Sequence, residues 1–148
     1  RQGDRAILDI TEYFSEKHAP FHINASQIPD LVPILTVLAC FADGVSEITG
    51  CERLRIKECD RLAAISQELN KLGAKVEIIG DSLKITGVKE LRGGECDAWN
   101  DHRIAMSLAV ASTRSTAPII IRGAECVSKS YPRFFEDFRM LGGIADVI

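Results

Sequence analysis

Three short segments of the chain concentrate cationic and acidic side chains. They are residues 53–61, 100–103 and 128–131, and each comes directly before a stretch with helical periodicity. The N-terminus of a helix presents unpaired N–H groups and a partial positive charge, so it attracts anions. Arginine and lysine side chains at the same place add charge, and arginine can bind carboxylate or phosphate in a bidentate manner. The pattern predicts a site for small anions that carry carboxylate or phosphate groups.

Arg61 and Arg103 each fall in the first turn of a predicted helix. A cation at that position opposes the helix dipole by roughly 0.3–1 kcal/mol. The preceding Asp60 and Asp101 are good N-caps, so a purely structural turn is the alternative interpretation. Because the chain repeats an unfavourable placement at two helix starts, we interpret both arginines as anion-binding residues.

Four further residues are candidates on weaker grounds. Lys57 and Glu58 could exchange protons if burial and neighbouring charges moved their pKa values toward neutrality, but a solvated ion pair fits equally well. Asp30 begins a strongly apolar stretch and could act as a general base, or serve only as a favourable acid in a first helical turn. His102 lies between two charged residues and could be catalytic or structural.

The elements expected to position these residues alternate between helix and strand, which predicts an α/β fold. Residues 45–86 and 119–143 repeat in architecture, and the chain contains no linker, so residues 1–148 are expected to form one domain. The predicted elements are a helix at 4–17, a strand at 21–24, a helix at 31–41, a strand at 45–48, a helix at 61–72, a hairpin of 75–79 and 83–86, a helix at 101–112, a strand at 119–121 and a helix at 132–141.

Composition excludes several classes of protein. A net charge of −3 argues against a dedicated nucleic-acid binder, including an RNA-binding module. No apolar run approaches the roughly 20 residues of a membrane-spanning helix, and the chain does not begin with a signal peptide pattern. The five cysteines are scattered and form no C-x-x-C pair, which favours free thiols in a reducing cytoplasm over a zinc site or a disulfide framework. The absence of an initiator Met suggests a cut or processed chain.

Four strings along the chain carry a more specific resemblance. They are IPD at 28–30, RIKECDR at 55–61, NDHRIAM at 100–106 and KSYPRFF at 129–135. In this order and approximate spacing they resemble the C-terminal motifs of the 5-enolpyruvylshikimate-3-phosphate (EPSP) synthase family. The resemblance covers almost the whole chain and is weakest over the first 25 residues or so.

The resemblance implies a fold and a reaction. Members of that family have two similar globular domains built from repeated βαβαββ units. They join shikimate 3-phosphate to phosphoenolpyruvate and release phosphate, in the step before chorismate in aromatic biosynthesis. By this resemblance the chain is most of the C-terminal domain, with about two units present, and lacks the N-terminal domain as its partner. No metal and no organic cofactor is implied.

The family motifs also imply roles for individual residues. Asp30 would remove the proton of the shikimate 5-hydroxyl, Lys57 would shuttle a proton at that hydroxyl, and Glu58 would help protonate the enol methylene.

Arg61 and Arg103 would bind the carboxylate of phosphoenolpyruvate, and Lys129 its phosphate.

The chain departs from the family pattern in two places. Arg53 stands where some members have an Asn that contacts the shikimate phosphate, and the stretch between Tyr13 and Asp30 is short of the hairpin of a full repeat.

Two alternative functions remain. The related transferase that acts on UDP-N-acetylglucosamine is one alternative, although the motifs at 57–61 and 101–103 favour the shikimate branch. A non-catalytic module that binds anions or a partner domain is the other. The isolated chain is expected to be inactive, because half a site cannot exclude water or position both reactants.

Overall fold

The structure, a computed structural model, describes residues 18–148. Over that range helices and strands follow the order βαβαββ and then βαβα. They are β1 (His22–Asn24), α1 (Val32–Ala39), β2 (Val45–Thr49), α2 (Arg61–Lys71), β3 (Lys75–Ile79), β4 (Ser82–Thr86), β5 (Gly94–Asp97), α3 (His102–Ala111), β6 (Ile119–Arg122) and α4 (Phe134–Met140).

The first six elements form one complete βαβαββ unit, which we call the first unit (residues 22–86). Its four-stranded sheet has the order β1-β2-β4-β3, with β1 parallel to β2 and β4 antiparallel to both of its neighbours. The β3–β4 hairpin closes through a two-residue loop whose first residue, Gly80, has a φ of 60°. Tight hairpin loops require this left-handed conformation, and glycine adopts it without steric cost.

The last four elements form a second unit (residues 94–140) that follows the same plan as far as βαβα. Strands β5 and β6 pair in parallel, with Cys96 opposite Ile121. Within the described part of the chain no strand follows α4. The second unit therefore has the parallel strands and the two helices of the first unit, without the hairpin.

Helices α2 and α3 begin at aspartate caps and are held by apolar stripes. The carboxylate of Asp60 accepts a hydrogen bond from the N–H of Ala63, and that of Asp101 accepts one from the N–H of Arg103. In α2 the buried stripe is Leu62, Ile65 and Leu69, and the helix ends before Gly73 at a φ of 91°.

The main hydrophobic core joins the sheet of the first unit to α1, α2 and one face of α3. A smaller cluster under the second unit consists of Ala98, Ala105, Cys126 and Val127. Helix α3 contributes to both clusters through Ile104 and Ala105 respectively. It therefore ties the two units together.

The predicted α/β class is confirmed, and the predicted elements within residues 18–148 are confirmed in type, with ends that shift by one or two residues. The predicted helix at 4–17 lies outside the described residues. Strand β5 was not predicted, because Gly94–Asp97 has a single buried apolar residue. The predicted repeat of 45–86 and 119–143 corresponds to β2–α2 and β6–α4, and each is the second part of a unit that begins earlier, at β1 or at β5. Within residues 18–148 no hairpin follows α4. The shortage of a hairpin between Tyr13 and Asp30 stays a prediction, because that stretch begins outside the described residues.

Among the helices at positions 18–148, none combines the length and the hydrophobicity that crossing a bilayer requires.

Candidate active site

The charged segments meet at the carboxyl ends of the parallel strands. Asp30 lies between β1 and α1, residues 50–60 connect β2 to α2, residues 98–101 connect β5 to α3, and Lys129 lies between β6 and α4. Connections that leave the carboxyl ends of parallel strands gather at one edge of each sheet, which is where α/β proteins bind ligands. The contacts of Arg61 with Asp30 and Asp101 bring the edges of the two sheets together, and contacts within the cluster join residues up to 73 positions apart in the chain.

Arg61, the first residue of α2, is the centre of the cluster. Its side chain is 1% exposed and its guanidinium hydrogen-bonds three carboxylates. Nε donates to Oδ2 of Asp101 at 2.7 Å, Nη1 to Oδ1 of Asp30 at 3.0 Å and Nη2 to Oε2 of Glu58 at 2.6 Å. Burial alone would lower the pKa of Arg61, but hydrogen bonds and charges from these acids, Asp101 foremost, raise it above its ordinary value. The guanidinium is therefore a fixed cation.

Asp101 is the buried partner of Arg61. Its side chain is 0% exposed, and its two oxygens together accept from Nε and Nη2 of Arg61 and from the N–H of Arg103. Burial alone would raise the pKa of Asp101, but the hydrogen bond and charge of Arg61 outweigh it and lower the pKa below its usual 3.8. One carboxylate thus orients Arg61 and also caps the helix that carries Arg103.

Asp30 is the exposed counterpart of that carboxylate. Its side chain is 48% exposed, and three cations converge on it. Nζ of Lys57 lies 3.3 Å from Oδ1, and Nη2 of Arg103 lies 3.8 Å from Oδ2, in addition to the contact from Arg61. Desolvation acts to raise the pKa of Asp30, but the hydrogen bond of Lys57 and the charges of Arg103, Lys57 and Arg61 lower it overall. Asp30 is therefore an ionised carboxylate open to solvent.

Lys129 joins the cluster from the second unit. Its Nζ donates to the main-chain oxygen and to Oδ1 of Asn100, both at 2.7 Å, and the side chain is exposed. Asn100 and the preceding Trp99 have φ values of 52° and 54°. Left-handed backbone is uncommon for residues other than glycine, and such conformations gather at functional sites. The turn between β5 and α3 therefore presents its oxygens to Lys129 in a strained conformation.

The remaining candidates are less closely engaged with the cluster. Arg53 is exposed and its Nη1 lies 3.5 Å from the main-chain oxygen of Ser26. His102, the first residue of α3, is buried, and its Nδ1 has no hydrogen-bond partner within residues 18–148. Cys59 donates its thiol to Oδ2 of Asp101 at 3.4 Å, and burial raises its pKa to about 12, so the thiol is not an activated nucleophile.

Sequence reasoning singled out segments that the structure brings together, but it missed two contacts among them. Asp101 was recognised as an N-cap and not as the partner of Arg61, and Asn100 was not recognised as the partner of Lys129. Both residues stand in the NDHR string, which was the available signal. In residues 18–148, no group of three or more His, Cys, Asp or Glu side chains is placed to hold a metal ion.

The sequence matches the model of the family described as EPSP synthase (3-phosphoshikimate 1-carboxyvinyltransferase) over residues 1–138. The chain belongs to the EPSP synthase family. The predicted family is thus confirmed, and the charged strings at 55–61, 100–106 and 129–135 all lie within the matched range.

Two relatives are 3-phosphoshikimate 1-carboxyvinyltransferases of clostridia. The protein of Clostridium perfringens strain 13 is 59% identical over 158 residues, which cover 97% of this chain and 37% of that protein. The protein of Clostridium acetobutylicum is 51% identical over 154 residues, which cover 96% of this chain and 36% of that protein. The chain therefore spans little more than a third of the length of these EPSP synthase relatives.

A solved structure of EPSP synthase from Acinetobacter baumannii has the same fold over most of the chain. It superimposes with a TM-score of 0.79 at 30% identity, covering 89% of this chain and 31% of that one. The α/β arrangement of the two units is thus the arrangement found in EPSP synthase.

Proposed function

We propose that this chain forms part of an enzyme that transfers the enolpyruvyl group of phosphoenolpyruvate to the 5-hydroxyl of shikimate 3-phosphate and releases phosphate. The observation that carries the proposal is the convergence of Lys57, Arg61 and Arg103 on the half-exposed Asp30, at 3.3, 3.0 and 3.8 Å. Membership of the EPSP synthase family supports the choice of reaction.

Asp30 and Lys57 are assigned to the hydroxyl of shikimate 3-phosphate. The lowered pKa of Asp30, in which the hydrogen bond and charge of Lys57 outweigh desolvation, keeps its carboxylate ionised at neutral pH. An ionised, solvent-facing carboxylate can accept the hydroxyl proton as the oxygen attacks the central carbon of phosphoenolpyruvate. Lys57, 3.3 Å from Asp30, would move a proton at the same oxygen.

Glu58 is assigned to the methylene of phosphoenolpyruvate. In the addition step the oxygen forms a bond to the central carbon while the methylene gains a proton, which yields a tetrahedral ketal. In the elimination step the methyl group returns a proton to Glu58 and the carbon–oxygen bond to phosphate breaks with its electron pair on the departing phosphate oxygen, which yields the enol ether and inorganic phosphate. Glu58 lies 2.6 Å from Arg61, so a proton donor and the carboxylate-binding cation are adjacent.

The cations are assigned to the charges of phosphoenolpyruvate. Arg103 and Lys129 expose part of their side chains, whereas Arg61 is buried and engages Asp30, Glu58 and Asp101. Arg61 would therefore exchange one of its two more exposed partners, Asp30 or Glu58, for the carboxylate of phosphoenolpyruvate, while Asp101 stays in place. Preorganised cations of this kind stabilise charge as it shifts in the transition state.

The rest of the site is assigned to protein outside this chain. Because the chain spans 37% of the length of its C. perfringens relative, we infer that residues 1–148 are most of a C-terminal domain and that an N-terminal domain is the partner that closes the site. A site that cannot close does not exclude water or align two reactants. The five free thiols support action in the cytoplasm.

The test is phosphate release from phosphoenolpyruvate plus shikimate 3-phosphate. It is measured with this chain alone and then with the remaining N-terminal part of the C. perfringens relative added. We expect turnover only in the mixture, and no turnover when UDP-N-acetylglucosamine replaces shikimate 3-phosphate. Lys57→Ala and Arg103→Ala should abolish turnover, whereas Lys84→Ala, at an exposed lysine of β4, should not.

Two other results would change the function that we assign to this chain. Turnover by the chain alone would show that the half-site is sufficient. A mixture that associates but does not turn over would favour a module that binds anions or a partner domain without catalysis.

A further inference from the structure

Glu68 is a buried acid that the proposed reaction does not use. It lies on α2 seven residues after Arg61, so both side chains leave the helix on the same face, about two turns apart. Its side chain is 1% exposed. A buried carboxylate is costly unless hydrogen bonds and opposite charges compensate it, so the partners of Glu68 indicate its role.

The partners of Glu68 lie at the start of the strained turn and on α2 itself. Oε1 accepts from the indole Nε1 of Trp99 at 2.9 Å, and Oε2 accepts from the main-chain N–H of Asp97 at 2.9 Å. Lys71, one turn later on α2, donates to both oxygens at 3.0 and 2.9 Å and supplies the opposite charge. The carboxylate thus bridges α2 to the end of β5 and to the residue that begins the left-handed turn.

These contacts hold the turn at Trp99 and Asn100, which forms part of the proposed anion site. Trp99 and Asn100 are in left-handed conformations, which cost roughly 1–2 kcal/mol each for ordinary residues and persist only where the surroundings hold them. Helix α2 fastens the turn at both ends, through Glu68 to Trp99 and through Arg61 to Asp101. Between these points Asn100 presents its two oxygens to Lys129.

We propose that Glu68 is a positioning residue of the anion site: by holding Trp99 and the N–H of Asp97, it fixes the turn that places Lys129 and Asp101. The inference rests on the proposed function for the identity of the anion, phosphoenolpyruvate. Glu68 itself touches none of the reacting groups and acts through the turn alone.

The test uses a complete enzyme in which this chain replaces the matching segment of the C. perfringens relative. Two variants, Glu68→Gln and Trp99→Phe, are compared with the unmodified chimaera. We expect each to raise the KM for phosphoenolpyruvate about tenfold and to change kcat less than about threefold, because the turn positions anion-binding cations and not the proton-transfer groups. The KM for shikimate 3-phosphate should stay unchanged.

A matched control and a double variant separate positioning from general damage. Glu95→Gln makes the same chemical change on β5 at an exposed carboxylate that pairs with Arg122, away from the turn, and should leave both KM values unchanged. The combined Glu68→Gln, Trp99→Phe variant should raise the KM no further than Glu68→Gln does alone, because Trp99→Phe removes only a hydrogen bond that Glu68 accepts, whereas Glu68→Gln also alters the contacts with the N–H of Asp97 and with Lys71.

Three results would overturn the proposal. The first is an unchanged KM for phosphoenolpyruvate in both variants. The second is a lower kcat at constant KM, which is the signature of fewer folded molecules. The third comes from calorimetric titration with phosphoenolpyruvate, which repeats the comparison without turnover: equal affinities of variant and unmodified protein. Turnover by the unmodified chimaera tests the proposed function separately, so the two can fail independently.

Discussion

The two units of the chain begin with the same order of elements but differ in how they are packed. The first unit has four paired strands and contributes most of the main core, whereas the second unit has two strands and a cluster of four buried apolar residues, Ala98, Ala105, Cys126 and Val127. Helix α4 of the second unit has no buried residue. The second unit therefore has the smaller core of its own, and it is attached to the first unit through α3 and through the contacts of Glu68 with Asp97 and Trp99.

Both units nevertheless contribute to the site from equivalent connections. Asp30 and Asp101 precede the first helix of each unit, and Lys57 and Lys129 lie in the connection that precedes the second helix. All four come from the shared βαβα part of the units, and none comes from the hairpin. The parallel strands and their connections therefore position the candidate site, while the hairpin contributes buried side chains such as Leu83 and Ile85 to the core.

Asp30 and Asp101, the acids at equivalent positions of the two units, differ in how far they are exposed to solvent. Asp30 is 48% exposed and Asp101 is 0% exposed, although both contact Arg61. The exposed acid can meet a substrate, and the buried one can only hold its neighbours. A single buried arginine therefore connects the exposed carboxylate of the first unit to the buried carboxylate of the second.

The largest expected effect on stability comes from removing Asp101, the buried carboxylate that pairs with Arg61. Asp101→Ala should reduce the free energy of unfolding by about 3–5 kcal/mol, because it leaves the buried charge of Arg61 without its main partner. It also removes the cap of α3, which typically contributes about 1 kcal/mol of that loss. Urea denaturation followed by circular dichroism measures the change.

The equivalent change in the first unit is the matched control for Asp101→Ala. Asp30→Ala should cost less than about 1 kcal/mol, because the carboxylate is half exposed and Arg61 keeps Glu58 and Asp101. Equal losses in the two variants would contradict the division of roles between the two acids.

Because the first unit is more tightly packed than the second, truncating a core side chain of the first unit should reduce the free energy of unfolding more than truncating one on α4. Leu83→Ala, at a side chain that is 0% exposed on β4, should cost about 3 kcal/mol through lost burial and the cavity left behind. Phe138→Ala on α4 removes a larger group but should cost only about 1 kcal/mol, because α4 is not buried. The same denaturation experiment measures both. A larger loss for Phe138→Ala would show that the second unit is better packed than its burial indicates.

Local signals in the sequence were enough to predict most elements and the charged connections. Asp60 and Asp101 were predicted as possible caps, and the hydrogen bonds to Ala63 and Arg103 confirm them. The hairpin was predicted from the alternating residues around Gly80, because turn chemistry is also local. Strand β5 was missed because four residues with one buried side chain carry no periodic signal.

Contacts between distant residues could not be predicted in this way. The pairing of Arg61 with Asp101 joins residues forty positions apart and depends on how the two units pack. Glu68 is one polar residue on an amphipathic helix, and only the fold reveals that it faces Trp99 and is buried. The left-handed conformation of Trp99 is a tertiary effect as well, since a bulky aromatic residue disfavours it.

The smallest expected effect is the difference between the two acids in their contribution to acid sensitivity. Burial alone would raise the pKa of Asp101, but the hydrogen bond and charge of Arg61 lower it below 3.8, so the folded state binds that proton less readily than the unfolded state. A lowered folded-state pKa stabilises the protein fully above the ordinary pKa, and this stabilisation is lost as the pH falls through the folded-state value. The free energy of unfolding should therefore decrease from about pH 5 downward, and less steeply in Asp101→Asn. In Asp30→Asn the slope should change less, because solvent screens that half-exposed carboxylate.

Urea denaturation at a series of pH values between about 6 and 3 compares the slopes, which do not depend on the absolute stability of each variant. A slope in Asp101→Asn equal to that of the unmodified protein, together with a smaller slope in Asp30→Asn, would contradict this prediction. It would mean that the exposed acid and not the buried one makes stability depend on pH.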